Sequence, residues 1–346
     1  MFEERLRNVV VDIATVRAII QTNERLRSLA FGEKNIIMEE LTKTQLALLI
    51  HDVPSERGWR IYDHCSTVTR LYAIYERFVE DLVTDWLQKL PDLFNHYSDL
   101  DEKIRATHRI GIGRLLLDLN KNRFQHLSIE EVIRGLFRGV TGDEDKYELV
   151  PDAFLLHEQN LRKEILEELL ANAGIPNAWG WVQKHRTIKR FVEEVRANEN
   201  TPEGELNTLI SYRNDAAHGA IIDNSLGSNA LLELCEFVET LCQALAELVT
   251  YQIIERQKSI GQAREIGRIT EWFKKSNAAV VKVEETTLSV GSSLFLVGDA
   301  YCQLATIESI QINGIATDEV QTTSGMEVGL KFNVDARQNL RLYLVQ

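Results

Sequence analysis

The chain has 346 residues, 44% of them apolar and 26% charged, with a formal net charge of -13. That length and apolar share fit about two domains with proper cores and exclude a chain disordered over long spans, while the acidic balance excludes a surface coated for non-specific nucleic-acid binding, though not a local basic groove. No apolar run approaches the ~18 residues of a bilayer span, and the N-terminal MFEERLRNVV lacks a secretory layout, so a cytoplasmic protein without membrane association is expected.

The cysteines, Cys65, Cys235, Cys242 and Cys302, are scattered and form no CxxC pair, which argues against a zinc site or a disulfide framework. Cys235 and Cys242, seven apart on one helical face, read as core thiols.

In chain order, residues 1–60 read as an N-terminal helical extension. Leu6, Val9, Val10, Ile13, Val16 and Ile20 recur at helical spacing over residues 1–30. A second helix is expected at about 38–51, before Pro54. A helical domain is expected over 61–275. It opens with a long helix at about 61–89 that turns Leu71, Ile74, Phe78, Leu82 and Trp86 inward and is stopped by Pro91. Glu76 and Glu80, four apart, share one side of it. Either would serve as partner for an arginine elsewhere, or both are simply exposed. Further helices are expected at 101–120 and from Ile129 to Arg138, the latter opened by a capping box of Ser128 and Glu131. The acidic loop Thr141 to Asp145 lacks the remaining ligands of an EF-hand, so calcium is not expected. Leu155 to Ala173 reads as a helix closed by Gly174. Ile175 to Trp181 reads as a loop whose tryptophans would stack a base or pack on neighbouring helices. A basic helix at about 182–196 follows. Basic residues that would line a groove are Lys103, Arg105, Arg109 and Arg114; Lys121, Arg123, Arg134 and Arg138; and Lys184, Arg186, Lys189 and Arg190. For each, a solvated helix face is the ordinary alternative.

Thr201 to Gly219, TPEGELNTLISYRNDAAHG, reads as one helix. Thr201 suits the N-cap, Pro202 the first position, Glu203 and Glu205 the positive end of the helix dipole, and Gly219 the left-handed stop. Leu206 and Leu209 mark an apolar stripe on which Arg213 also falls, with Asn214 and His218 on one face beside it. An arginine there needs a carboxylate or a ligand anion, because an unpaired buried charge is costly. RNA is cut without a metal when its 2′-hydroxyl attacks the adjacent phosphate. That reaction needs a proton-transfer group near neutral pH and a fixed cation on the phosphate. His218 would be the general acid or base and Arg213 the transition-state stabiliser. Asn214 would orient His218 or bind a phosphate oxygen, and Asp215 is a structural neighbour. The helix C-terminus favours the protonated imidazole, hence an acid or phosphate-binding role for His218. The plain alternative is a bundle salt bridge at Arg213 and a cap at His218. The other seven histidines form no HxxH or HExxH spacing, so neither a metal nor any other cofactor is expected.

A long helix is expected over about 228–273. Leu231, Leu234, Val238, Leu241, Leu245 and Leu248 repeat every 3.5 residues on it, as either a dimer seam or the central helix of the bundle, and Gly261 and Gly267 weaken its far end. Residues 276–346 change character. Short β-like runs at 279–283, 288–290, 293–297, 305–310 and 328–332 are separated by turns at Gly291, Gly298-Asp299, Asn313-Gly314 and Ser324-Gly325, which indicates a small closed barrel. The fold class is therefore mainly α, a helical bundle followed by a small β-barrel.

The run Arg213-Asn214-Asp215-Ala216-Ala217-His218-Gly219 resembles the signature of the HEPN superfamily, helical domains that include many metal-independent ribonucleases of toxin–antitoxin and phage-defence systems. The helix Leu71 to Leu82 resembles the acidic early helix of a large branch of those nucleases, and the resemblance covers roughly residues 60–260. It implies an endoribonuclease with RNA as substrate, tRNA among the candidates, leaving a 2′,3′-cyclic phosphate and a 5′-hydroxyl. It also implies a homodimer whose two copies share a composite cleft, and an antitoxin or defence partner protein. Glu76 and Glu80 stand as supporting residues. Thr306 to Phe332 resembles the β-barrel second domain of translational GTPases. No GxxxxGK[ST] loop is present, so that resemblance implies a docking module and not GTP hydrolysis. Two other readings remain: a catalytically silent HEPN scaffold that binds RNA or a protein, and a regulatory subunit of a nucleotidyl-transfer system.

Overall fold

The computed structural model describes residues 2–32, 51–141, 147–219 and 222–345. The helix expected at about 38–51 and most of the acidic loop at 141–145 lie outside the described residues. Three long helices carry the bundle: α1 (Glu3–Phe31), α2 (Glu56–Leu93) and, late in the chain, a 32-residue helix at Ser228–Ser259. Ser55 opens α2 by accepting a hydrogen bond from Gly58 N at 3.1 Å. Its inward residues Leu71, Ile74, Phe78, Leu82 and Trp86 are all buried, as expected. Pro91 does not stop α2. Leu90 and Leu93 are buried on either side of it, and their packing carries the helix two residues past the proline.

Between α2 and the late helix the chain makes α3 (Glu102–Asp118), α4 (Ile129–Thr141), α5 (Lys163–Asn172), α6 (Ala178–Lys184), α7 (Arg186–Arg190) and α8 (Pro202–Ala217). The expected capping box opens α4: Glu131 N donates to Ser128 Oγ at 3.1 Å and Ser128 N to Glu131 Oε2 at 2.9 Å. The helix expected from Leu155 starts only at Lys163, and the stretch before it is irregular, with a bend at Gln159; Gly174 does end α5, at φ +87°. The tryptophans of 175–181 are not exposed. Trp179 is buried, and Trp181 Nε1 donates to Ala244 O at 2.9 Å. The expected basic helix is broken at His185, and a π-helical turn, Phe191–Val195, follows α7.

The late helix, α9 (Ser228–Ser259), is the central helix of the bundle. Leu231, Leu234, Val238, Leu241, Leu245 and Leu248 are all buried within the chain, so the heptad-like stripe is filled by α1 and α2. Each such side chain stabilises by roughly 1.5–3 kcal/mol when fully buried. α9 ends at Ser259, not at 273, because Gly261 takes φ +77° and turns the chain.

Residues expected to be helical after that point form the first barrel strand. The strands are β1 (Ala263–Phe273), β2 (Ala278–Val283), β3 (Thr287–Ser289), β4 (Ser293–Gly298), β5 (Tyr301–Ile312), β6 (Ile315–Thr317), β7 (Glu319–Gln321), β8 (Met326–Phe332) and β9 (Arg341–Val345). Antiparallel pairing runs β4-β9-β1-β2-β8-β5, and β5 returns to β4, closing six strands into a barrel. β6 extends β5 through Asn313-Gly314, both at positive φ (52° and 81°), the two-residue hairpin that an Asn-Gly pair favours. Ile266, Ile269, Val281, Leu294, Leu296, Ile307, Leu330 and Phe332 fill the interior.

The barrel docks on a part-buried ion pair of the bundle. Arg186 donates to both oxygens of Glu247 on α9, at 2.6 and 2.7 Å, and to Gln303 Oε1 at 3.1 Å, while stacking 4.1 Å from the Tyr301 ring centroid. Glu247 also accepts from Cys302 N on β5 at 3.1 Å. Cys235, Cys242 and Cys302 are buried free thiols, and Cys65 is half-buried.

Candidate functional site

Helix α8 is placed by its own ends and its apolar stripe. Thr201 Oγ1 accepts from Gly204 N at 3.0 Å, and the buried Glu205 accepts from Arg196 at 2.7 and 2.8 Å. Leu206, Leu209 and Ile210 bury against α2. This leaves the last turn of α8 at the rim of a cleft of about 700 Å³, and Gly219 at φ +66° ends the helix as expected.

Arg213, Asn214 and His218 all line that cleft, together with Glu76 and Glu80 of α2. Asp215 is exposed and lies outside the lining. Arg213 is half-buried, with its guanidinium 5.0 Å from the centroid of the Tyr72 ring, and it donates to Asn214 Oδ1 at 3.0 Å. Among the described residues no carboxylate comes within ion-pair distance of it. Glu76 and Glu80 are therefore neighbours of Arg213 in the cleft, not its salt-bridge partners. Glu76 accepts from the Tyr72 hydroxyl at 2.8 Å, and burial pushes that hydroxyl's pKa upward. His218 is exposed and caps the helix through its backbone, its N–H donating to Asn214 O at 3.0 Å.

Five lining residues escape a sequence reading: His157, Glu158, Gln159, Asn160 and Arg162, whereas Arg123 was among the expected groove residues. All five belong to the irregular stretch before α5, which side chains of α2 hold in place. Tyr72 Oη accepts from Leu161 N at 3.1 Å, and Tyr75 Oη donates to Leu161 O at 3.0 Å. Asn160 Nδ2 donates to Asn214 Oδ1 at 3.0 Å, and Arg162 to Asn207 Oδ1 at 2.6 Å, tying the stretch to α8. His157 is largely buried, its side chain 12% exposed. Its Nε2 lies 3.1 Å from Glu80 Oε1 and its Nδ1 3.2 Å from Gln159 O. The hydrogen bond to Glu80, outweighing burial, raises the His157 pKa. Arg123 donates to the same Glu80 oxygen at 3.3 Å and to Leu155 O at 2.7 Å. The signal that would have exposed this stretch is the run His157-Glu158-Gln159-Asn160. Four polar residues in a row interrupt any apolar stripe between Leu156 and Leu161.

Of the basic residues set out above, Arg123 alone lines the cleft. Arg105 and Arg109 pair with Glu102, Lys121 with Asp118, Arg134 with Glu130, and Arg186 with Glu247. Arg123, His157, Glu158 and Gln159 also border a second groove of about 860 Å³ between α3 and α5, which adds Arg114, Lys121, Phe124 and Leu117. Among the described residues no three His, Cys, Asp or Glu side chains converge as a metal site, and no helix is long and apolar enough to cross a membrane.

The helical bundle fits the HEPN class, whose members are often ribonucleases. The chain belongs to the RiboL-PSP-HEPN family, whose model matches residues 33–251. No curated protein matches the chain.

Proposed function

We propose that the protein is an endoribonuclease that cuts RNA by 2′-hydroxyl attack, with Arg213 as the phosphate-binding cation, His218 as a proton-transfer group and Asn214 as the residue that orients them. The observation that carries this reading is the half-buried guanidinium of Arg213, which faces a cleft shared with an exposed imidazole and has no carboxylate partner among the described residues. A structural arginine in a bundle would have one. A phosphodiester supplies the missing anion, and Arg binds its oxygens through two parallel donors. The adjoining groove, with Arg114, Lys121 and Phe124, offers the strand a path away from the site. The reaction leaves a 2′,3′-cyclic phosphate and a 5′-hydroxyl. Structured RNA such as tRNA is the proposed substrate, a toxin or phage-defence effector the proposed role, and the cytoplasm the proposed setting. A homodimer and an antitoxin or other partner protein belong to the same proposal. The barrel, resembling that of translational GTPases in Thr306 to Phe332, is the proposed docking module.

Glu76, Glu80 and Glu158 line the same cleft and repel phosphate, and they favour a second reading in which RNA or a protein is held without being cut. Total RNA incubated in EDTA, followed by end mapping, separates the two. Cleavage that disappears in His218→Ala and Arg213→Ala, with unchanged circular dichroism, supports the nuclease. RNA bound but left intact by the wild type would replace it with the scaffold.

A further inference from the structure

Transesterification needs two proton movements, one off the 2′-hydroxyl and one onto the departing 5′-oxygen. His218 supplies one group; the cleft of a single chain also contains another. Glu80 presents its two oxygens differently. Oε1 receives both His157 Nε2, at 3.1 Å, and Arg123, at 3.3 Å, whereas Oε2 has no partner among the described residues. His157 is anchored on its far side by Gln159 O and is nearly buried, so the ring cannot swing away from Glu80 without breaking both bonds.

We propose that Glu80, clamped by His157 and Arg123, is the general base of the cleft and that His218 is the acid. This rests on the nuclease reading above. The 2′-hydroxyl proton passes to Glu80 Oε2 as the 2′-oxygen bonds to phosphorus. The bond from phosphorus to the 5′-oxygen breaks, and that oxygen takes the proton of the His218 imidazolium. The products are the cyclic phosphate and the 5′-hydroxyl, and solvent returns both side chains to their starting states. His157 and Arg123 are positioning residues: by holding Oε1 they orient Oε2. The other charges around this group are Glu76 from α2, Glu158 and Arg162 from the stretch before α5, and Arg213 from α8.

The test takes an RNA oligonucleotide spanning the mapped cut, measures its single-turnover cleavage against pH, and measures binding with the 2′-deoxy analogue. The wild type gives a bell whose acid limb reports the base and whose alkaline limb reports the acid. Glu80→Gln lowers the rate by about a hundredfold or more, with binding unchanged, and removes the acid limb. His157→Gln, whose amide can still donate to Oε1, loses less rate than His157→Ala, with binding unchanged in both. Glu80→Gln that keeps the acid limb, or a rate within about threefold of wild type, overturns the assignment while leaving the nuclease reading intact. Absence of any cleavage by the wild type overturns both.

Discussion

At the scale of single residues, the cleft is held by hydrogen bonds around one hydroxyl. Tyr72 Oη both accepts from Leu161 N and donates to Glu76. Removing it in Tyr72→Phe leaves a buried N–H unanswered, at a cost of about 1–3 kcal/mol. Urea unfolding should register that loss, and RNA cleavage should fall with it because Asn160 and Arg162 lose their anchor. His108 is the clearest acid sensor. It is fully buried, accepts from Val150 N at 3.1 Å, and burial lowers its pKa from 6.5 to about 4. The unfolded chain therefore binds this proton first, and stability falls as pH drops from about 6.5 to about 4. The shift is worth on the order of 3 kcal/mol. Comparing urea midpoints at pH 7.5 and 5 for the wild type and His108→Gln should show a smaller pH effect in the variant. Arg213, Asn214 and His218 were legible in the sequence because helical geometry alone brings them together. The His157–Glu80 pair spans 77 residues of chain, and no local pattern encodes it.

At the scale of elements, sequence and structure part where long-range contacts outrank local preference. Residues 155–162 have no Gly or Pro to break a helix, yet two tyrosines of α2 seize the backbone of Leu161 and keep the stretch irregular. β1 was disguised for another reason. Its pairing slips at Glu265/Gly267 against β9 and at Ile269/Glu271 against β2, so its buried residues do not alternate and its apolar spacing imitates a helix. The long helices and the Asn313-Gly314 hairpin, by contrast, follow from periodicity and turn chemistry alone. Close packing of α3 makes a sharp prediction. A Cβ on Gly111 would lie 2.0 Å from Ala153 O, a backbone atom that cannot rotate away. Gly111→Ala should therefore destabilise by about 1–3 kcal/mol or more, visible as a lower thermal midpoint. Gly113→Ala, in open space on the same helix, should raise it slightly.

At the scale of the whole molecule, Glu247 decides whether bundle and barrel act as one body. Burial pushes its pKa up, but hydrogen bonds from His185 and Arg186 outweigh burial and hold it down, at about 2. A carboxylate depressed below its ordinary 4.5 stabilises the fold above that pH and ceases to do so as pH falls towards 2. Glu247→Gln keeps the shape and removes the charge, leaving Arg186 buried without its partner. A loss of about 3–5 kcal/mol is expected, with the barrel becoming susceptible to proteolysis at the Ile260–Gln262 turn.

The same junction constrains how the protein can be handled. Ile254 of α9 is buried against Phe295, Val297 and Tyr343 of the barrel. A fragment ending near residue 260 would bare this greasy patch, strip Arg186 of its barrel contacts to Gln303 and Tyr301, and should precipitate on expression. The protein cannot be trimmed down to its helices and still be expected to stay in solution.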